Sequence, residues 1–221
     1  MFFHYFLFCT VLAPFLISCG HKKSHTGHEA NAHMHKQTHA DLIVRFSDSK
    51  RDVWQKPHQV LELLGDLKGK KIIDIGSGSG YFAKFFQMAQ ASIVAADVDD
   101  IFLGHIQTQL KTIETRKIHH HDPLMKNAEF DIAFTCNTYH HIDQRVDYFK
   151  KVFLGLKANG VLMIVDFRYP QEDEKHPGPP SRLRIPTIQI ETELKAAGFK
   201  KLTVNKTLLP FQDIVIAFKS Q

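Results

Sequence analysis

The sequence predicts an α/β domain in which seven strands form a mostly parallel sheet, with helices on both faces and a C-terminal antiparallel hairpin. Three observations carry this. Strands near positions 71, 92, 115, 130 and 161 alternate with helical segments, the order that threads parallel strands through crossover helices. The run Ile72-Ile73-Asp74-Ile75-Gly76-Ser77-Gly78-Ser79-Gly80-Tyr81-Phe82 passes from a strand through three alternate glycines into a helix. Lys200–Leu208 and Gln212–Phe218 are consecutive strands with a tight turn near Pro210, so they pair antiparallel. A chain of 221 residues can bury the core of one such domain.

The glycine turn is the first element that carries function. Glycine lacks Cβ and tolerates positive φ, so the backbone can approach a ligand closely, and the following helix start offers free N–H groups. A nucleotide-type cofactor fits such a turn. The dinucleotide fingerprint G-x-G-x-x-G needs glycine where this chain has Tyr81, which disfavours a pyrophosphate and makes an NAD-dependent reductase the weakest reading. The second strand, Ala91-Ser92-Ile93-Val94-Ala95-Ala96-Asp97, ends in a carboxylate about 20 residues on, where nucleotide-binding α/β folds place a ribose-binding acid. An alternative use of Asp97, Asp99 and Asp100 is to cap the helix starting near Ile101.

Asp74-x-Gly76-x-Gly78-x-Gly80 resembles the first motif of class I S-adenosylmethionine (SAM) dependent methyltransferases, a Rossmann-like family. The likeness runs from Trp54 to Phe218 with its motifs in order. It implies that Asp74, Gly76, Ser77, Gly78 and Gly80 surround the methionine and ribose portions of SAM, that Asp97 meets the ribose, and that Val98 is cofactor-binding too. It implies further that Asp122, after His119-His120-His121, faces the adenine amino group, and that Asn137 holds the SAM amino group. Asp131 is structural in this resemblance.

The loop Thr135-Cys136-Asn137-Thr138-Tyr139-His140-His141-Ile142 resembles that of methyltransferases of the ubiquinone and menaquinone biosynthesis type. An imidazole there is the right residue type for a general base toward a hydroxyl, enol or acidic carbon, so His140 and His141 are the catalytic candidates. Tyr139 is the candidate for lining the acceptor pocket. Next, Val146, Phe149, Val152, Phe153 and Leu156 recur at helical spacing and predict a buried face, Ala158-Asn159-Gly160 a helix stop, and Val161–Phe167 a buried strand.

Three segments, Arg51-Asp52-Val53-Trp54-Gln55-Lys56-Pro57, Cys136–His141 and Leu209-Pro210-Phe211-Gln212-Asp213, resemble a bacterial group of exported methyltransferase-domain proteins. That likeness implies that Trp54 packs over cofactor or acceptor and that the Pro-rich stretch from His176 to Pro186 is part of a lid.

Residues 1–18 carry no Lys, Arg, Asp or Glu, and the apolar core Phe6–Ile17 is short for a membrane span, so the segment reads as a signal peptide. It ends in Leu16-Ile17-Ser18-Cys19-Gly20, which matches a lipobox and predicts lipidation of Cys19, hence a membrane-anchored lipoprotein of the cell envelope, at the outer membrane or periplasmic face. If the signal is unused, the domain stays cytoplasmic. Residues 19–40, with six histidines between His21 and His39, read as a disordered tether able to bind metal weakly, and residues 41–221 as the methyltransferase domain. No fixed metal site is read from the chain.

With Cys9 in the signal and Cys19 lipidated, Cys136 stands alone, and at a strand end it reads as a small buried hydrophobe rather than a nucleophile. The net charge of +5 is not gathered into a stripe, and Lys68, Lys70 and Lys71 read as a solvated turn, which argues against nucleic acid as a partner. The leading expectation is a lipid-anchored SAM-dependent methyltransferase acting on a small-molecule or quinone-like acceptor. The rival is an exported lipoprotein that uses the fold to capture a ligand or metal without turnover.

Overall fold

The computed structural model describes Met1, residues 27–170 and residues 177–220. Apart from Met1, the signal peptide lies outside the described residues, as do Cys19, the first part of the tether and His176.

Seven strands, β1 (Lys71–Ile75), β2 (Ser92–Asp97), β3 (Glu114–Lys117), β4 (Phe130–Cys136), β5 (Leu156–Phe167), β6 (Lys201–Asn205) and β7 (Gln212–Phe218), form one sheet in the order β3-β2-β1-β4-β5-β7-β6. The pairs from β3 to β5 are parallel, and β7 lies antiparallel to both β5 and β6. Helices α1 (Gly27–Met34), α2 (His39–Ser47), α3 (Arg51–Gln55) and α4 (Pro57–Glu62) precede β1. Helices α5 (Tyr81–Met88), α6 (Asp100–Gln109), α7 (Arg145–Gly155) and α8 (Thr187–Ala196) follow along the chain.

The inner strands are apolar on both sides because both faces of the sheet are covered there. Ile73, Ile75, Val94, Ala133, Leu162, Ile164 and Val215 pack in one core with Phe149 and Val152 of α7 and Leu194 of α8. Residues of the other parity, Ile72, Ile93, Ile132, Phe134, Met163 and Ile214, pack against Phe82 and Phe86 of α5. The strand order reverses between β1 and β4, and the crevice outside the carboxyl ends of parallel strands at such a reversal is where ligands bind in open α/β sheets.

Three expectations are corrected. The helix stop at Ala158-Asn159-Gly160 is instead a bulge inside β5: α7 ends at Gly155, Leu156 already pairs with Phe130, and pairing resumes at Val161 with Ile132. Asn159 takes φ 61°, which turns the chain without breaking the strand. The hairpin's first strand stops at Asn205, because the Arg168 guanidinium gathers the carbonyls of Lys206, Leu209 and Gln212 and the Asp213 carboxylate, holding residues 206–211 as a loop.

The third correction concerns the tether. From Gly27 onward the stretch read as disordered is helical, with α1 docked on the Tyr139–His141 turn and α2 capped by Thr38, whose hydroxyl accepts the Asp41 N–H at 3.2 Å. The Gly27 N–H donates to Asp143 at 2.6 Å, and a Cβ at Gly27 would lie 2.2 Å from the His141 carbonyl oxygen. Only glycine allows that approach. Among the described residues no helix is long and apolar enough to cross a membrane.

Candidate active site

A cavity of about 460 Å³ opens at the carboxyl ends of β1, β2 and β4, the position the strand reversal prescribes. Its floor is the glycine turn. Gly76 and Gly78 have φ +73° and +53°, and a Cβ at Gly76 would come within 2.3 Å of the Thr138 hydroxyl. Gly80, at φ +80°, starts α5, and its N–H donates to the Ser77 carbonyl at 2.9 Å; it shapes the turn from outside the cavity lining. Ser77 lines the cavity, and its hydroxyl donates to the Asp74 carbonyl at 2.7 Å.

Two carboxylates stand on that floor. Asp97 Oδ2 accepts the Gly78 N–H at 2.8 Å and Oδ1 the Asp99 N–H at 3.0 Å, while burial pushes its pKa up to about 6 against those hydrogen bonds. The helix-capping alternative therefore falls to Asp99, which accepts the Ile101 N–H at 2.8 Å, and Val98 beside it lines the cavity. Asp74 is 2% exposed and its Oδ2 has no hydrogen-bond partner. Burial raises its pKa to about 7, with Asp97 adding to the rise and Ser77 and Arg51 opposing it. A buried carboxylate oxygen without a protein donor is suited to a cationic or hydrogen-bonding ligand.

Histidines line the opposite wall. His140 is 3% exposed, with Nδ1 2.8 Å from Asp166 Oδ1. Asp166 also accepts the N–H groups of His140 and Phe167 at 3.2 and 2.7 Å, which lock its orientation. A carboxylate only accepts, so Nδ1 carries the proton and Nε2 the lone pair. His141 Nδ1 lies 2.8 Å from Asn31 Oδ1 of α1, while Asn31 Nδ2 donates to the His141 carbonyl at 3.2 Å. Burial, followed by His140, His120, His35 and His33, holds the His141 pKa well below its ordinary value.

Three segments distant in sequence meet at one end of the cavity. Gln55, fully buried at the end of α3, donates to Cys136 Sγ at 2.8 Å and to Gln212 Oε1 at 3.0 Å, and Gln212 in turn donates to Asn137 Oδ1. Pro57 begins α4 and Lys56 turns the chain at φ 44°, which ends α3 and leaves Gln55 pointing inward. Burial pushes the Cys136 thiol pKa up, in keeping with an inert buried side chain. Trp54 lines the cavity and packs between Phe167 and Phe211, with ring centroids 6.2 and 6.1 Å away.

Besides Gly80, two expected site residues lie outside the cavity lining. Asp122 does not line the cavity: its Oδ2 pairs with Lys151 at 2.8 Å and its Oδ1 accepts the Leu124 N–H, because the backbone bridge between His119 and Asp122 turns it outward. Ile118, His119 and His120 take its place on the wall. Tyr139 is fully buried and points into the core, stacked on Phe149 and donating its hydroxyl to Glu193, which also pairs with Arg145. Asp131 is structural as expected, accepting the Lys71 N–H and pairing with Lys157.

Residues missed from sequence include Asp166, Asn31 and Arg51. Asp166 ends an apolar strand as Asp74 and Asp97 do, which was its available signal. Asn31 carried none, sitting among polar residues without period. Arg51 lies over the Tyr81 ring at 3.9 Å and donates to Gln55 Oε1 and the Phe46 carbonyl. The roof comprises α1, α2 and residues 177–179, with Phe46 tilted on Phe102 at 5.8 Å. Among the described residues no group of three or more His, Cys, Asp or Glu is placed to hold a metal ion.

Residues 73–162 match the sequence profile of the family described as "Methyltransferase domain". A tRNA U34 carboxymethyltransferase of Sulfurovum sp. is 28% identical over 181 residues, covering 72% of this chain and 57% of that protein. A Mycobacterium tuberculosis protein named as a probable S-adenosylmethionine-dependent methyltransferase is 20% identical over 113 residues, 50% of this chain and 41% of that one. The chain thus spans about half the length of the curated relatives it matches. The crystal structure of a SAM-dependent methyltransferase from Aquifex aeolicus superposes with a TM-score of 0.71 at 18% identity, covering 82% of this chain and 98% of that one, which establishes the shared fold.

Proposed function

We propose that this chain, whose residues 73–162 carry a methyltransferase domain, is a SAM-dependent methyltransferase acting on a small-molecule or quinone-like acceptor. The observation that carries the reading is the pair of buried carboxylates around the glycine turn, Asp97 clasping Gly78 and Asp74 with an unpartnered oxygen. The site fits the cofactor: Asp97 retains lone pairs for ribose hydroxyls, Gly76 and Gly78 admit a close-lying ligand, and the Asp74 oxygen suits its positively charged methionine end. SAM supplies an electrophilic methyl group on a sulfonium and leaves as a neutral thioether.

The protein's part is to align the acceptor, exclude water and take a proton. Alignment of acceptor and methyl donor accounts for much of the rate in such displacements. Residues of α1 and α2, Trp54 and residues 177–179 line the cavity and would limit water around the reacting groups. His140 is the general base, because Asp166 fixes its tautomer and stabilises the imidazolium once Nε2 has taken the acceptor's proton. His141 is the poorer base, since burial and neighbouring imidazoles oppose its charging. Lipidation at Cys19 and attachment to the envelope are part of the same proposal, supported by the lipobox sequence.

The test is calorimetry of SAM binding to the purified protein, followed by transfer of labelled methyl to fractions of a cell extract. Binding with a labelled product supports the enzyme. Binding without any product supports the capture module, and no binding removes both the cofactor and the reaction.

A further inference from the structure

Nothing above selects the acceptor, yet the histidine wall carries information about it. His140 and His141 are consecutive in a 3-10 turn, with ring centroids 4.3 Å apart and an interplanar angle of 39°. Both line the cavity. Each has its Nδ1 committed, His140 to Asp166 at 2.8 Å and His141 to Asn31 at 2.8 Å. The Asn31 amide is oriented by its own donation to the His141 carbonyl, so Oδ1 faces the ring and His141, like His140, keeps its proton on Nδ1. The result is two neighbouring Nε2 lone pairs, both acceptors and neither a donor.

The surroundings narrow the ligand further. Trp54 and Phe167 lie on the same cavity, their rings 6.2 Å apart, and the Phe167 ring is 6.4 Å from that of His140. Aromatic faces beside a pair of hydrogen-bond acceptors suit a planar ring carrying two adjacent hydroxyl donors. We infer that the acceptor is a vicinal dihydroxyarene, one hydroxyl donating to His140 and the other to His141. This rests on the methyltransferase reading above.

The reaction then balances. The first hydroxyl loses its proton to His140 Nε2, its oxygen forms a bond to the methyl carbon, and the carbon–sulfur bond breaks with its electron pair passing to sulfur. The products are an aryl methyl ether, S-adenosylhomocysteine and an imidazolium that returns its proton to solvent. His141 stays neutral and holds the second hydroxyl, so it is a residue of specificity. Asn31 acts through His141 as a positioning residue, which gives α1 a place in the site.

The experiment is calorimetry on the full chain saturated with S-adenosylhomocysteine, whose own binding is measured first. The probes are 4-tert-butylcatechol and 4-tert-butylphenol, in the presence of a chelator. We expect the diol to bind at least about ten-fold more tightly than the monophenol, a ratio set by the second hydroxyl's hydrogen bond. In His141→Phe and in Asn31→Ala the ratio falls toward one while monophenol affinity holds, a pattern that general loss of structure does not give. Equal binding of the two probes by the wild type overturns the inference, as does a preference that persists in His141→Phe or that disappears with the chelator. Failure of S-adenosylhomocysteine to bind instead overturns the cofactor reading beneath it.

Discussion

Asp97 accepts the backbone N–H of Gly78 at 2.8 Å, which ties the end of β2 to the glycine turn after β1. The contact joins the two segments whose spacing first suggested a cofactor. A single carboxylate thus shapes the loop and faces the cavity, so losing it affects both.

Asp97→Ala is expected to reduce SAM affinity by at least about 100-fold, since it removes a charge-assisted bond to the loop together with the ribose acceptors. Calorimetry reads the change. Affinity within about three-fold of wild type would remove Asp97 from the cofactor site.

His140→Ala and Asp166→Asn are expected to lower methyl transfer by about 10²–10⁴-fold and leave cofactor affinity nearly unchanged. The asparagine substitution removes the charge that stabilises the imidazolium while keeping the shape. Incorporation of labelled methyl into the extract acceptor, set beside SAM titrations, separates the two effects. Full transfer by either variant would show that the base lies elsewhere.

Burial pushes the Asp74 carboxyl up to about 7 in the folded chain, well above the ordinary aspartate value of about 4. Between those values the folded chain holds a proton that the unfolded chain has released, so this group's stabilisation is complete below about pH 4 and is lost as pH rises through 7. Asp74→Asn has no such loss. Its thermal stability relative to wild type should therefore climb between pH 4 and pH 8, by on the order of a few kcal/mol. A constant gap across that range would contradict the assignment.

A methyl group at Gly27 would meet the His141 carbonyl at 2.2 Å, so Gly27→Ala is expected to lift the start of α1 from its seat. Hydrogen exchange should rise within residues 27–34 and change little in β1 or β4, because the helix adds few contacts to either core. Unaltered protection of α1 would show that the close approach is not what anchors it.

Cys19→Ser is expected to abolish incorporation of labelled fatty acid and release the protein from the membrane fraction. Continued sedimentation with membranes in that variant would point to an anchor other than lipid on this cysteine.

The alternation of strands with helices, the Asp74-to-Gly80 turn, the acid ending β2 and the C-terminal hairpin were all legible in the chain, because period, glycine spacing and strand-end charge are local signals. The candidate pair His140 and His141 was legible as residue type, but not how each ring is held. That depends on Asp166, 26 positions away, and on Asn31, 110 positions away, and no local pattern links either to the loop.

The same limit explains the errors. Tyr139 and His140 are neighbours in sequence, yet a 3-10 turn sends one into the core and the other to the cavity. Asp122 left the site because one backbone bridge turned it toward Lys151. The stretch from Gly27 was polar and aperiodic, so its order is imposed from outside by the Asp143 carboxylate and the His141 carbonyl. The sequence by itself determined the strands, their order along the chain and the glycine turn, since these follow from interactions between near neighbours. Tertiary structure alone decided which side chains face the cavity and which tautomers they hold, since hydrogen-bond partners are chosen by proximity in space.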